Sequence, residues 1–245
     1  MNEVVIVTGA SRGIGAATAH LLGSRGYHVC VNYCTNPKLA HAVCAQIEES
    51  GGRAIAVYAD VSRSREVDSM FCTVDRELGP VTALVNNAAM IGPSTSMVDL
   101  NPVDFERLLE VNVMGVVHCT QQALRRMSTE RGGSGGAIVN VSSGAAYVGS
   151  PGASIHYAAT KGAVNSITIG LAQEVMKEGV RVNAVSPGPI HTDMLHPGAL
   201  KDGAKTVPAG RVGEPEEVAE AIAWLLSPKA GYVSCANIRV AGGKP

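Results

Sequence analysis

The sequence predicts an α/β fold: one doubly wound parallel sheet of about seven strands, with helices on both faces. Two observations lead there. Seven short apolar runs, often β-branched, recur at residues 4–7, 27–33, 54–58, 83–85, 137–141, 180–185 and 237–240. The segments between them carry apolar residues at helical spacing. A third observation concerns position: a glycine-rich turn falls between the first run and the first helix. The length of 245 residues, 46% of them apolar, suits a single domain spanning 1–245.

Each element follows in order. Val4 to Val7 is strand-like, and Thr8-Gly9-Ala10-Ser11-Arg12-Gly13-Ile14-Gly15 is the turn after it. Gly9 permits the sharp bend, Gly13 lets a bulky anion approach the backbone, and Gly15 lets the helix sit close to the sheet. The free N–H groups at the helix start, Ser11 to Ile14, together with the positive dipole end, suit a pyrophosphate. Ile14, Ala17, Leu21 and Leu22 mark the apolar face of that helix.

The second strand ends Val31-Asn32-Tyr33-Cys34, where an acid would accept the adenosine ribose 2′-hydroxyl of NAD. None is present, and Arg12 can pair with a 2′-phosphate, so NADP is preferred and NAD is the alternative. Asn36-Pro37 starts the second helix. Asp60-Val61 closes the third strand. There the carboxylate suits an adenine amino group, with Val61 over the ring, and it equally suits a helix cap. Val67, Met70, Phe71, Val74 and Leu78 define the third helix face.

Asn86-Asn87-Ala88-Ala89 follows the fourth strand, and Asn101-Pro102 begins the fourth helix. Asn112 lies in an apolar helical segment, where an amide must be satisfied or used. RGGSGG at 131–136 is a turn before the fifth strand, which ends in Ser142 and Ser143. Tyr157 and Lys161 stand at i and i+4 on one helix face. A neighbouring ammonium favours tyrosinate and lowers the phenol from its usual pKa of about 10, which suits proton exchange with an alcohol or a developing alkoxide. Residues 187–213 hold four prolines and five glycines and read as an active-site lid. Glu214-Pro215-Glu216-Glu217 opens the last helix, with Val218, Ile222, Leu225 and Leu226 inward.

Several function classes are excluded. Lys plus Arg is 20 and Asp plus Glu is 21, a net charge of −1. That balance leaves no basic stripe for nucleic acid or a membrane surface. No apolar run is long enough to span a bilayer, and the N-terminus lacks a signal pattern. Six scattered cysteines without a C-x-x-C pair suit free thiols in a reducing cytoplasm. The histidines show no metal-binding spacing, so no metal is expected.

The ordered set TGASRGIG, DV, NNAA, Asn112, VNVSS, YAATK and PGPIHT resembles the short-chain dehydrogenase/reductase family from Val4 to Gly243. Within it the pattern is similar to 3-oxoacyl-carrier-protein reductases and glucose-dehydrogenase-like members. The resemblance implies a Rossmann-type domain with strand order 3-2-1-4-5-6-7, usually a homotetramer (or a homodimer), acting on a small carbonyl or alcohol substrate. Carried over by position, Tyr157 is the acid/base. Lys161 holds the nicotinamide ribose and depresses the Tyr157 pKa. Ser143 orients the carbonyl oxygen, and Asn112 anchors a water. Asn87, Ala88 and Ala89 line the adenosine ribose, while Pro187, Gly188, Ile190 and Thr192 face the nicotinamide.

The implied activity is NADPH-dependent reduction of a ketone to a secondary alcohol. The alternatives are an NAD-linked sugar or alcohol dehydrogenase working oxidatively and a catalytically idle nucleotide-binding scaffold. Three departures from the family pattern stand out. Ala89 replaces the usual glycine. Ser143 lies 14 positions before Tyr157, one more than is commonest, which leaves Ser142 as the alternative. Ser234-Cys235 stands where Thr-Gly is usual. Met90, Ile91, Tyr147, Met194 and Leu195 are candidates for substrate contact, and His156 is either a pocket residue or a structural one.

Overall fold

A strand buried on both faces needs apolar side chains pointing both ways, and the central strands supply them. In the computed structural model, which describes residues 3–194 and 205–244, seven parallel strands form one sheet. They are β1 (Val4–Val7), β2 (His28–Tyr33), β3 (Arg53–Tyr58), β4 (Ala83–Asn86), β5 (Gly136–Val141), β6 (Val180–Pro187) and β7 (Asn237–Val240). Their order is β3-β2-β1-β4-β5-β6-β7, the order expected from the resemblance. In β1, Val5 and Val7 enter one core with Val29, Val85 and Val139, while Val4 and Ile6 enter the other with Leu84 and Ile138.

Helices α1 (Gly13–Ser24), α2 (Pro37–Glu49) and α8 (Pro215–Leu226) meet the first core. Helices α3 (Ser64–Glu77), α5 (Gly115–Met127) and α7 (Ile155–Val175) meet the second. Two shorter helices, α4 (Pro102–Leu109) and α6 (Ala145–Val148), lie at the C-terminal edge of the strands. The inward faces read for α3 and α8 are buried residue for residue.

Helix α1 differs from its expected face. Its buried residues are Gly15, Thr18, Ala19, Leu22 and Gly23, while Ile14, Ala17 and Leu21 are only half-buried. The reason is close packing. A Cβ on Gly23 would lie 2.6 Å from Ile47 of α2, so small residues set the approach and the larger ones flank it. Strand β6 runs past residue 185 because its terminal proline forfeits only one ladder donor, and Gly188 N–H resumes pairing with Val240 C=O at 3.0 Å.

Of the expected lid at 187–213, residues 195–204 lie outside the described residues. The remainder is pinned where Ile190 bridges Gly213, with His191 N–H donating to Gly213 C=O at 2.8 Å. Among the described residues, no helix is long and apolar enough to cross a membrane.

Candidate active site

Every strand of a parallel sheet delivers its C-terminal end to the same edge, so the loops after β1, β4, β5 and β6 converge there. The glycine turn is held from below. Gly9 has φ +61°, and a Cβ there would sit 2.9 Å from the Ala88 backbone. The Asn32 side chain accepts from Gly9 N–H at 3.1 Å and donates to the carbonyls of Val57 and Ala59. The Asn87 side chain donates to the carbonyls of Thr8 and Gly9 at 2.9 and 3.1 Å. The Thr8 hydroxyl accepts from the N–H groups of Asn87 and Ala88. Asn32 and Asn87, expected to touch a cofactor, are therefore placed as braces whose amides are spent on the loop backbone. Thr8 does the same work and was not anticipated.

The N-terminus of α1 stays open. Arg12 occupies the capping position without a capping side chain, and no acid stands in the first turn. The turn is also tight: a Cβ on Gly15 would lie 2.5 Å from Gly9 C=O, and one on Gly13 would lie 3.2 Å from Thr192. An uncapped helix end beside side-chain-free backbone fits a dinucleotide pyrophosphate. The Ser11 and Ile14 positions lie within this turn, and Ile14 also lines the cleft described below.

At the end of β2, Tyr33 packs edge-on to Tyr58 with centroids 6.0 Å apart, and it tilts against His41 at 6.3 Å. The exposed Arg12 side chain lies 3.6 Å from Asp193. Asp60 braces the turn before α3 rather than capping the helix: its carboxylate accepts from the Ser62 amide and hydroxyl, and Arg107 reaches it at 3.0 Å. Burial pushes this carboxyl up, but the Ser62 bonds and the Arg107 guanidinium outweigh that and hold it below the usual carboxylate range. Val61 is buried in the second core, close against Gly115.

A cleft of about 290 Å³ opens at this edge. Its walls include Val141, Ser143, Tyr157, Pro187, Gly188, Ile190 and Thr192, with Ile91 and Met194 on the outer side. Ser143 and Tyr157 both line this cleft, and the Ser143 hydroxyl accepts from Ala145 N–H at 3.1 Å. The Ser142 hydroxyl instead donates to Lys161 C=O at 3.2 Å, so Ser143 is the serine beside the phenol. Between Ser143 and Tyr157 the chain turns at 149–152, where Gly149, Ser150 and Gly152 all take positive φ.

Lys161 is buried and donates from Nζ to Val141 C=O at 2.7 Å, with Nζ 5.8 Å from the Tyr157 ring centroid. Here the expectation is corrected. Burial pushes the Tyr157 phenol above its ordinary value, and the neighbouring Ser143 hydroxyl offsets this only in part. Burial also lowers Lys161 to about 8. Desolvation is the largest cause of both shifts, and the hydrogen bond from the Lys161 ammonium goes to a backbone carbonyl.

Asn112 falls in a single π-helical turn, Glu110–Met114, between α4 and α5. Its side chain accepts from Met90 N–H and donates to Met90 C=O, both at 2.8 Å. It also donates to the Thr160 hydroxyl at 3.0 Å, and that hydroxyl donates to Tyr157 C=O. In this way the side chain clasps the loop after β4 to the tyrosine helix. Ala89 is half-buried in the same loop. His156 is buried against Phe105, among structural residues rather than on the cleft wall. Leu195 lies outside the described residues.

Over residues 9–244 the chain matches the family described as enoyl-(acyl carrier protein) reductase. It is 46% identical over 245 residues to an uncharacterized oxidoreductase of Escherichia coli, YgfF, covering 98% of this chain and 99% of that one. It is 38% identical over 242 residues to a 3-oxoacyl-(acyl-carrier-protein) reductase of Synechocystis, covering 98% and 96%. A short-chain type dehydrogenase/reductase of Mycobacterium marinum matches in structure with TM-score 0.93 at 31% identity, covering 99% of this chain and 95% of that one.

Proposed function

We propose an activity for this chain, which belongs to the short-chain dehydrogenase/reductase family of oxidoreductases: NADPH-dependent reduction of a ketone to a secondary alcohol, with NAD as the alternative cofactor. The observation that carries the reading is the buried Tyr157 phenol, which lines an apolar cleft together with Ser143. Burial keeps that phenol protonated, and reduction calls for a proton donor.

When bound, the dinucleotide supplies the hydride. Tyr157 gives its proton to the substrate oxygen as negative charge develops there, and the Ser143 hydroxyl donates a second hydrogen bond to that oxygen. Lys161 is the residue to hold the nicotinamide ribose, where added hydroxyls would solvate its ammonium. Gly9, Ser11, Gly13 and Gly15 shape the pyrophosphate seat. Pro187, Gly188, Ile190 and Thr192 form the wall for the nicotinamide, and Arg12 meets the 2′-phosphate. Asn112 is a positioning residue that acts through Met90 and Thr160.

Residues 187–213 serve as the lid of this single domain. The enzyme works in the cytoplasm. A homotetramer is supported by Met114, 43% exposed beside α5, and Ile169, 50% exposed on α7.

The test is loss of NADPH absorbance with a panel of ketones, for the wild type and Tyr157→Phe. The variant retains NADPH affinity and loses about 100-fold or more in kcat, the range general acid catalysis supplies. A near wild-type kcat contradicts the role of Tyr157. NADPH binding without turnover of any ketone favours the idle scaffold.

A further inference from the structure

The charges around the substrate end of the cleft are one-sided. Of its lining residues, Lys244 alone is charged, among otherwise apolar or neutral walls that include Ile91, Val148 and Met194. Arg239 stands on β7, two residues before the lining residue Ala241. Its guanidinium carbon lies 3.9 Å from the centroid of the Tyr147 ring. Tyr147 in turn belongs to α6, whose Ala145 and Val148 line the same cleft.

Among the described residues, neither Lys244 nor Arg239 has a carboxylate within salt-bridge distance. Lys244 Nζ donates to a neutral group, the Thr206 hydroxyl, at 2.9 Å. The acid between the lining residues Thr192 and Met194, Asp193, lies 3.6 Å from Arg12. Stacking on Tyr147 holds the Arg239 head in one place while leaving its N–H donors free. A ketone alone gives such a pair nothing to neutralise.

We propose that the cleft selects carbonyl substrates that carry a second, anionic group, and that Lys244, aided by the Tyr147-stacked Arg239, reads that group. The anion has the chemistry of a carboxylate, and an apolar spacer suited to Ile91, Val148 and Met194 separates it from the carbonyl. The inference rests on the reductase reading of the same cleft and specifies which carbonyl compounds that activity accepts.

The experiment compares 3-oxobutanoate, 4-oxopentanoate and 5-oxohexanoate with their methyl esters, using the full chain and saturating NADPH. Each acid and its ester share a carbonyl and a spacer and differ in charge. The wild type is expected to favour at least one acid over its ester in kcat/KM. Lys244→Gln lowers that acid-to-ester ratio tenfold or more, about what a charge-assisted hydrogen bond supplies. Lys244→Arg restores most of it, and Arg239→Gln lowers the ratio as well.

Esters preferred throughout, or a ratio that Lys244→Gln leaves unchanged, overturns the proposal. So does a parallel rise in KM for NADPH, which would assign Lys244 to the dinucleotide. Turnover of neutral ketones without charge discrimination sinks this inference alone, whereas turnover of no ketone sinks the reductase reading and this inference with it.

Discussion

Replacing Lys161 with methionine makes the ligand-free protein more stable at neutral pH while removing the group assigned to the nicotinamide ribose. Burial brings the Lys161 ammonium from 10.5 to about 8. At about 1.4 kcal/mol per pH unit, the folded state carries a penalty of about 3 kcal/mol wherever the residue is charged. Methionine fills a similar volume without charge. Against that gain stands the hydrogen bond from Nζ to Val141 C=O at 2.7 Å, whose loss costs about 1–2 kcal/mol. The balance is a stabilisation of about 1–2 kcal/mol at pH 7.

Its pH dependence has a definite sign. The folded pKa lies below the unfolded one, so between about pH 8 and 10.5 the unfolded chain binds more protons and wild-type stability rises with pH. Below about pH 8 the penalty is constant. The methionine advantage therefore shrinks from pH 8 upward and is gone by about pH 10. The raised Tyr157 phenol also titrates in the alkaline range, but it is present in both proteins and largely cancels in the difference. Urea unfolding at pH 7 and pH 10 measures both numbers. A methionine variant more than about 1 kcal/mol less stable than wild type at pH 7, or a gap that stays flat from pH 7 to 10, refutes the reasoning.

Other outcomes follow from single contacts. Asn112→Leu strands the Met90 N–H and C=O in a buried place and lowers stability by about 2–4 kcal/mol, read from the urea midpoint. Cys235 holds φ +68°, so Cys235→Gly removes a left-handed penalty of about 1–2 kcal/mol and adds unfolded-state entropy worth about half of that. The net gain of about 0.5–1 kcal/mol appears as a higher Tm. Arg12→Gln weakens NADPH binding about tenfold and leaves NADH within about twofold. Equal losses for both cofactors in a titration would remove Arg12 from the 2′-phosphate.

What the sequence made legible, and what it hid, divides along a physical line. The strands were readable because a parallel strand buried on both faces leaves an uninterrupted apolar, β-branched run, as 137–141 does. The Tyr157–Lys161 pair was readable because i and i+4 share a helix face. The protonation balance of that pair was not, because it depends on how much water reaches the two groups and on Lys161 finding Val141 C=O, 20 residues away. The π-helical turn at Glu110–Met114 leaves no period to read, and Arg107 meets Asp60 across 47 residues.

The asparagines show the division most sharply. The family resemblance gives Asn87 and Asn112 roles at the cofactor and at a water, Asn32 stands at the cofactor end of a strand, and an amide in an apolar helix must be satisfied or used. In the fold each is spent on backbone: Asn32 on Gly9, Val57 and Ala59, Asn87 on Thr8 and Gly9, and Asn112 on both polar groups of Met90. An amide carries a donor and an acceptor on one rigid plane, so it can pair with an N–H and a C=O together. It also carries no charge and does not titrate. A carboxylate in these positions would repel a pyrophosphate, and a lysine or histidine would shift the field around Tyr157 with pH. Neutral staples let the loops be rigid while the electrostatics around the cleft stay with Arg12, Lys161, Lys244 and the open end of α1.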